Sequence, residues 1–103
     1  MNSKASNRNC LHLVVKSSAD ALQHCYSQFD AGDTVLFLDD GVLQAAIDAD
    51  RVFKPIFRNS FFSATDLEAR GLRKLADEKG LRVFNDPEFP ELLQKHDFCL
   101  TWK

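Results

Sequence analysis

Three cysteines are the residues of this sequence whose side chains could carry covalent chemistry. Cys10, Cys25 and Cys99 form an odd set without paired spacing, which indicates neither a disulfide framework nor a zinc knuckle. We therefore expect reduced thiols. A thiol attacks sulfur only where it is accessible and partly ionised, so the fold decides which of the three could react.

The histidines predict no metal site. His12, His24 and His96 are scattered, and His24 cannot share an ion with the adjacent Cys25, because ligands on one helical face lie three or four residues apart. We expect no cofactor either, because the four glycines are isolated at the ends of predicted elements and form no phosphate-binding loop.

Local sequence favours a structural role for two of the three cysteines. Cys25 belongs to the apolar stripe of a predicted helix, with Leu22, Tyr26 and Phe29, and lies far from the helix N-terminus that would lower its pKa. Cys99 alternates with its neighbours in a terminal strand, so we expect it to pack in the core. Cys10 borders a polar tail, and its side chain could be exposed.

The stretch from Thr34 to Ala46 is the part of the chain around which the other predicted elements are organised. An unbroken apolar run from Val35 to Leu38 predicts a strand covered on both faces, as parallel strands are. Asp39, Asp40 and Gly41 then break the run, and helical spacing follows from Val42 to Ala49. The two acids are most simply a turn and a helix cap rather than catalytic groups.

Strands and helices alternate along the rest of the chain. We expect further strands at Leu11 to Val15, Phe61 to Ala64, Leu81 to Phe84 and Phe98 to Trp102. Ser17 is predicted to cap the first helix, and Thr65 with Glu68 to form a capping box for a later one. Gly80 is predicted to end a helix, and the last helix should face inward with Phe89, Leu92 and Leu93. The pattern predicts a three-layer α/β/α fold with a mostly parallel five-stranded sheet. We expect residues 1–10 to be a mobile tail and residues 11–103 to form a single domain.

Composition excludes several classes of function. The formal net charge of −2 over 103 residues argues against direct binding of nucleic acid, which needs a concentrated basic surface. The sequence has neither an apolar membrane span nor a signal peptide, so we expect a cytoplasmic protein. A phospho-acceptor domain is disfavoured, because its acidic pair would follow the first strand, where Lys16 and Ser17 stand.

Several segments together resemble the DsrH/TusB family of small sulfur-relay proteins, within the DsrE, DsrF and DsrH superfamily. The matching segments are LHLVVKS at Leu11 to Ser17, GD at Gly32 and Asp33, LDDGV at Leu38 to Val42, DLEARGL at Asp66 to Leu72, and then Phe89, Leu92, His96 and Trp102. The chain departs from the family pattern in its longer leader and in the phenylalanine-rich stretch from Ile56 to Ser63.

The resemblance implies a DsrEFH-like fold and a subunit of a hetero-oligomer that passes persulfide sulfur between cysteines. The implied partners are DsrE/TusD-like and DsrF/TusC-like sister subunits, with homo-oligomers expected for the isolated chain. The assembly would serve 2-thiolation of the wobble uridine in tRNA or sulfur oxidation. Some members carry a cysteine where Cys25 stands, which makes Cys25 the candidate catalytic residue, as a sulfur acceptor, alongside its structural interpretation.

Two other functions remain open from the sequence. A purely structural interaction module would carry no sulfur, and the accessibility of Cys25 distinguishes it from a relay subunit. A flavodoxin-like domain that binds a small molecule would need a deep pocket near Asp39 to Gly41. Phe53, Phe57, Phe61 and Phe62 form either an interface patch or part of the core, and an interface could also involve the edge from Asp39 to Val42.

Overall fold

The computed structural model describes residues 9–48 and 58–103. Five strands are present in them: β1 (Cys10–Val14), β2 (Thr34–Phe37), β3 (Ser60–Ser63), β4 (Val83–Phe84) and β5 (Phe98–Trp102). The helices are α1 (Ala19–Gln28), α2 (Gly41–Ile47), α3 (Ala64–Ala69), α4 (Arg73–Lys79) and α5 (Phe89–Gln94), with a short 3₁₀ turn (Asp86–Glu88) before α5. The predicted tail lies outside the described residues except for its last two positions.

The five strands form one sheet in the order β4-β3-β2-β1-β5, and every neighbouring pair is parallel. The predicted α/β fold is confirmed. From β1 to β4 the chain advances in one direction, and it then returns to the far side of β1 to add β5. Because crossovers between parallel strands are right-handed, this reversal moves the connecting helix to the opposite face of the sheet.

The two faces of the sheet are therefore covered unequally. Helices α1 to α4 contribute to one core cluster, which defines the α1 face, and α5 packs on the other, the α5 face. Strand β2 lies between them: Val35, Leu36 and Phe37 are all fully buried, as the unbroken apolar run predicts. Val42, Ala45 and Ala46 of α2 are also buried, whereas Ala49 lies outside the described residues.

Two predicted helix caps are each displaced to a neighbouring serine. Ser18, rather than Ser17, accepts a hydrogen bond from the backbone N–H of Ala21 (3.2 Å). Ser63, at the end of β3, accepts one from the N–H of Asp66 (3.1 Å), so the predicted capping box at Thr65 is wrong. In both cases the capping serine is the residue whose extended backbone directs its hydroxyl toward the first turn.

The predicted helix stop at Gly80 is confirmed, because Gly80 ends α4 in the left-handed conformation with φ of 69°. In α5, Phe89 and Leu92 pack inward as predicted, but Leu93 is 40% exposed.

The phenylalanine-rich stretch does not form a single patch. Phe62 is fully buried against Phe37, with ring centroids 4.7 Å apart, and Phe61 is half-buried on the α5 face. Phe53 and Phe57 lie outside the described residues. Across residues 9–48 and 58–103, none of the helices combines the length and the apolar character needed to cross a membrane.

Candidate functional site

The candidate sulfur acceptor Cys25 lies in α1 with its side chain fully buried in the core of the α1 face. The pKa of its thiol is raised from 9.0 to about 12, mainly by burial, with the charges of Cys10 and Asp33 acting in the same direction. On the order of one thiol in 10⁵ would then be ionised at pH 7. In this conformation Cys25 has neither the access nor the ionisation that attack on a persulfide requires.

The other two cysteines occupy environments opposite to those expected. Cys10 begins β1 and is 1% exposed, whereas Cys99 in β5 is exposed. Cys99 pairs in register with the fully buried Leu11, but β5 is an edge strand and the helical cover of the α5 face does not extend over it. Partial desolvation nevertheless raises the pKa of the Cys99 thiol. The alternation of residues along a strand indicates which face a side chain is on, but it does not indicate whether the strand lies at an edge of the sheet. The expected burial of Cys99 was therefore wrong.

A buried polar network lies beside Cys25 on the same face of the sheet. The indole N–H of Trp102 in β5 donates to Nδ1 of His12 in β1 (3.0 Å), so the ring proton of His12 is on Nε2. Nε2 lies 2.8 Å from Oδ2 of Asp33, to which it donates. The indole and imidazole rings also stack, with centroids 6.0 Å apart and planes inclined by 14°. Three segments distant in sequence are thus joined.

The carboxylate of Asp33 is fully engaged despite its burial. Its Oδ1 accepts the backbone N–H of Cys10 (3.0 Å), and Oδ2 accepts the N–H of Asp30 (3.0 Å) as well as His12. Within the described residues, no buried side-chain nitrogen or oxygen lacks a hydrogen-bond partner. These hydrogen bonds offset the free-energy cost of burying the Asp33 carboxylate.

Cys10, His12 and Asp33 could also be considered as metal ligands, because their side-chain ligand atoms lie within 4.8 Å of one another. Both ring nitrogens of His12 and both carboxylate oxygens already have hydrogen-bond partners, however. A metal would have to displace those bonds from a closed, buried group. The hydrogen bonds of this group are better explained by a structural role, in which they hold β1 to its neighbours, than by a metal centre.

Sequence reasoning missed this network as a unit. His12 and Trp102 were assigned only to predicted strands and family-like segments, and Asp33 only to such a segment. The available signal was His12 itself, an imidazole between two leucines of an apolar strand, because a buried polar side chain needs hydrogen-bond partners.

A second polar network lies at the carboxyl ends of β2 and β3, and it is exposed. Arg70 donates to Oδ1 of Asp39 (2.8 Å) and Oδ1 of Asp40 (2.9 and 3.1 Å), and lies 3.5 Å from Oδ1 of Asp66. The hydrogen bond with Asp40 is the main cause that raises the pKa of Arg70. Asp40 precedes α2, but its side chain makes no capping bond, so its predicted cap is wrong and its carboxylate binds Arg70 instead.

The turn that carries these acids has an unusual backbone. Asp39 has a positive φ of 54°, and its N–H donates to Oδ2 of Asp66 (2.6 Å). Gly41 is buried, and a Cβ added there would lie 1.9 Å from the carbonyl oxygen of Val14 in β1. Glycine is thus required at this position by close approach between backbones.

A small cleft lies where the helices after β3 and β4 diverge to opposite faces, the usual place for ligands in open α/β sheets. It is lined by Leu38, Ser63, Asp66, Phe84, Asp86 and Phe89 and has a volume of about 210 Å³. Pockets that hold drug-sized ligands are typically about 300 to 1,000 Å³. The deep pocket required by a flavodoxin-like binding domain is therefore not found at this edge of the sheet, in the part of the chain described.

Comparison with known families gives one match that covers most of the chain. The model of a family described as "DsrH like protein" matches residues 16–98. Strand β1 and all but the first residue of β5 lie outside the matched range. No curated protein matches the chain.

Proposed function

This chain belongs to the DsrH-like protein family, and we propose that it is a subunit of a cytoplasmic complex that relays persulfide sulfur between cysteines. The family match is the observation that carries this proposal. In such a relay a thiolate attacks the outer sulfur of a persulfide, the S–S bond breaks, and the donor cysteine leaves as a thiolate. DsrE/TusD-like and DsrF/TusC-like sister subunits would be the partners.

Within that complex, we propose that this chain has a structural and docking role. The burial of Cys25 and its raised pKa support this assignment, because a carrier cysteine must be reachable and partly ionised. The sister subunits would then supply the reactive thiols.

A second candidate is that Cys25 itself accepts sulfur in the assembled complex. Its position in the helix after β1, where some family members carry a cysteine, favours this candidate. The chemistry would require α1 to separate from the sheet when the sister subunits bind, since Cys25 packs in the core beneath it. Assembly would then both expose the thiol and lower its pKa toward the ordinary value.

Persulfide loading of the assembled complex distinguishes the two roles. The complex is incubated with a persulfide donor, and each intact subunit is weighed by mass spectrometry. Addition of about 32 Da to this chain, lost in Cys25→Ser but kept in Cys10→Ser and Cys99→Ser, would assign Cys25 as an acceptor. Loading confined to the sister subunits would support the docking role. Failure of this chain to bind any sister subunit would refute the relay proposal itself.

The destination of the sulfur is a separate question that genetics can address. We propose tRNA wobble uridine 2-thiolation or sulfur oxidation as the process served. Deletion of the gene should abolish 2-thiouridine in total tRNA in the first case, and should block oxidation of reduced sulfur compounds in the second. Because of its net charge of −2, this subunit would not bind tRNA directly.

A further inference from the structure

The two edges of the sheet differ in how they are protected against pairing with another strand. The β4 edge has only two residues, and the adjacent Arg82 is exposed, with its guanidinium 5.9 Å from the centre of the Phe61 ring. The β5 edge has five residues, FCLTW, without a charge or a proline. Natural edge strands are usually kept short or charged to prevent association. By this standard β4 is protected, whereas β5 is open among the residues that the structure describes.

The backbone of β5 presents hydrogen-bonding groups outward at two positions. The N–H of Phe98 donates to Asn9 and the carbonyl of Trp102 accepts from Val15, so both residues direct their backbone toward β1. Because backbone direction alternates along a strand, the N–H and C=O groups of Cys99 and Thr101 point away from β1. No strand among the described residues pairs with that side.

We propose that this edge is a self-association surface, on which a second copy of the chain adds its own β5 in antiparallel orientation across a two-fold axis. A two-fold axis between two edges places the same segment opposite itself. With the axis at Leu100, Cys99 lies opposite the partner's Thr101. The outward groups of these residues then face each other as hydrogen-bonded pairs, and two five-stranded sheets become one.

The side chains around the axis are self-complementary in this register. Leu100 lies opposite the partner's Leu100, and Phe98 lies opposite the partner's Trp102, which gives an apolar and an aromatic pair on the α1 face. At the ends, the exposed Asp97 lies opposite the partner's Lys103. Opposite charges and aromatic pairs directly across a ladder are the combinations that stabilise antiparallel strands. A shift of two residues would instead place Cys99 opposite itself and separate the charges.

Most of this surface lies outside the part of the chain that the family model matches. Residues 99–103 lie beyond the range that the family model matches. The inference is independent of the sulfur-relay proposal, because it depends only on the edge, its backbone direction and its charge pattern. The chain would dimerise without any sister subunit.

A proline in the open edge tests the proposal without disturbing the existing ladder. Thr101→Pro removes an outward N–H that β1 does not use, and proline is tolerated at such edge positions. Thr101→Val is the matched control, because it keeps the N–H and favours a strand. Sedimentation velocity across a concentration series should show a dimer for the wild-type chain and Thr101→Val, and an increase of at least about tenfold in the dissociation constant for Thr101→Pro.

A symmetric cross-link tests the register itself. Directly opposed, non-hydrogen-bonded residues have Cα atoms about 4.5 Å apart, which a disulfide can span. Leu100→Cys in a Cys99→Ser background should therefore form a disulfide-linked dimer under mild oxidation. Ile47→Cys in the same background is the control, because Ile47 is 54% exposed on α2 and remote from the axis. It should remain unlinked.

Three results would overturn the proposal. The first is a wild-type chain that stays monomeric at every concentration, and the second is a dimer that persists unchanged in Thr101→Pro. The third is a monomeric chain whose binding to sister subunits is lost in Thr101→Pro, which would assign the edge to a heterologous strand. If Thr101→Pro does not fold, absence of the Leu100→Cys cross-link would reject the proposed register and its two-fold pairing.

Discussion

Two polar networks join distant parts of this chain, and they differ chiefly in their exposure to water. The network of His12, Asp33 and Trp102 is buried on the α1 face and ties β1 to β5 and to the start of β2. The network of Arg70 with Asp39 and Asp40 contains more formal charge but lies at the surface. We expect burial, rather than the number of ion pairs, to determine how much each network stabilises the fold.

The two networks should differ in this way because removal of one residue leaves its hydrogen-bonding partners either in water or in the core. At the surface, water replaces a lost partner, so exposed ion pairs contribute little and are screened by salt. In the core no water is available, and an orphaned donor or charge keeps its full desolvation cost. We therefore expect the loss of stability in the variants below to follow the burial of the substituted residue rather than its charge.

The largest effect is expected for Asp33→Asn. The amide NH₂ of asparagine would replace a carboxylate oxygen that now accepts backbone or imidazole N–H groups, which leaves donors facing donors. We expect a loss of about 3 to 5 kcal/mol in the free energy of unfolding, measured by urea denaturation. Asp20→Asn, at an exposed acid in α1, is the control. A loss below about 1 kcal/mol at Asp33 would remove the distinction between the two networks.

Gly41→Ala tests whether the turn beside the exposed network needs the close backbone contact between Gly41 and β1. The new Cβ would collide with the carbonyl oxygen of Val14, 1.9 Å away, so either α2 or β1 must move. We expect a loss of about 2 to 3 kcal/mol in unfolding free energy. Gly71→Ala meets nothing within 4 Å but has φ of +69°, so it isolates conformational strain of about 1 kcal/mol. Equal losses in both variants would contradict the steric explanation.

The raised pKa of Cys25 predicts a loss of stability at alkaline pH. The unfolded thiol ionises above its ordinary pKa of 9.0, whereas the folded thiol keeps its proton up to about 12. Between these values ionisation favours the unfolded chain, so stability falls as pH rises, by about 1 kcal/mol at pH 10. Unfolding measured at pH 7 and pH 10 should show this pH dependence reduced in Cys25→Ala.

Cys99→Ala is the matched control for the alkaline measurement. Its thiol is exposed, so its removal should alter the pH dependence less than removal of the Cys25 thiol. A pH dependence that stays the same in Cys25→Ala would show that the Cys25 thiol is solvated in the folded protein. Such a result would also strengthen the case for Cys25 as a sulfur acceptor.

The smallest effect is expected for Arg70→Gln, although Arg70 contacts three carboxylates. We expect the melting temperature in low salt to change by less than about 5 °C. The difference from the wild-type chain should shrink further in 1 M salt, where exposed charges about 3 Å or more apart are screened. A decrease as large as that of Asp33→Asn would show that this network is also essential to folding.

Much of the fold was predictable from local pattern. The unbroken apolar run of β2, the alternation of strands and helices and the left-handed Gly80 each report a local requirement that the sequence must satisfy by itself. Helix caps were less predictable, because the backbone conformation decides which of several nearby serines and threonines can cap a helix. The α/β class followed from the local patterns, but strand order did not.

Local sequence pattern predicted the α/β class of the fold, the central strand that is buried on both faces, and the segments that resemble the family. Local pattern did not predict which cysteine is exposed, because exposure depends on strand order: β5 lies at an edge of the sheet, and Cys99 is outside the helical cover. The partners of His12 were likewise decided by packing, because Asp33 and Trp102 are 21 and 90 residues away. Contacts at such separations follow from the path of the whole chain, and local periodicity carries no record of that path.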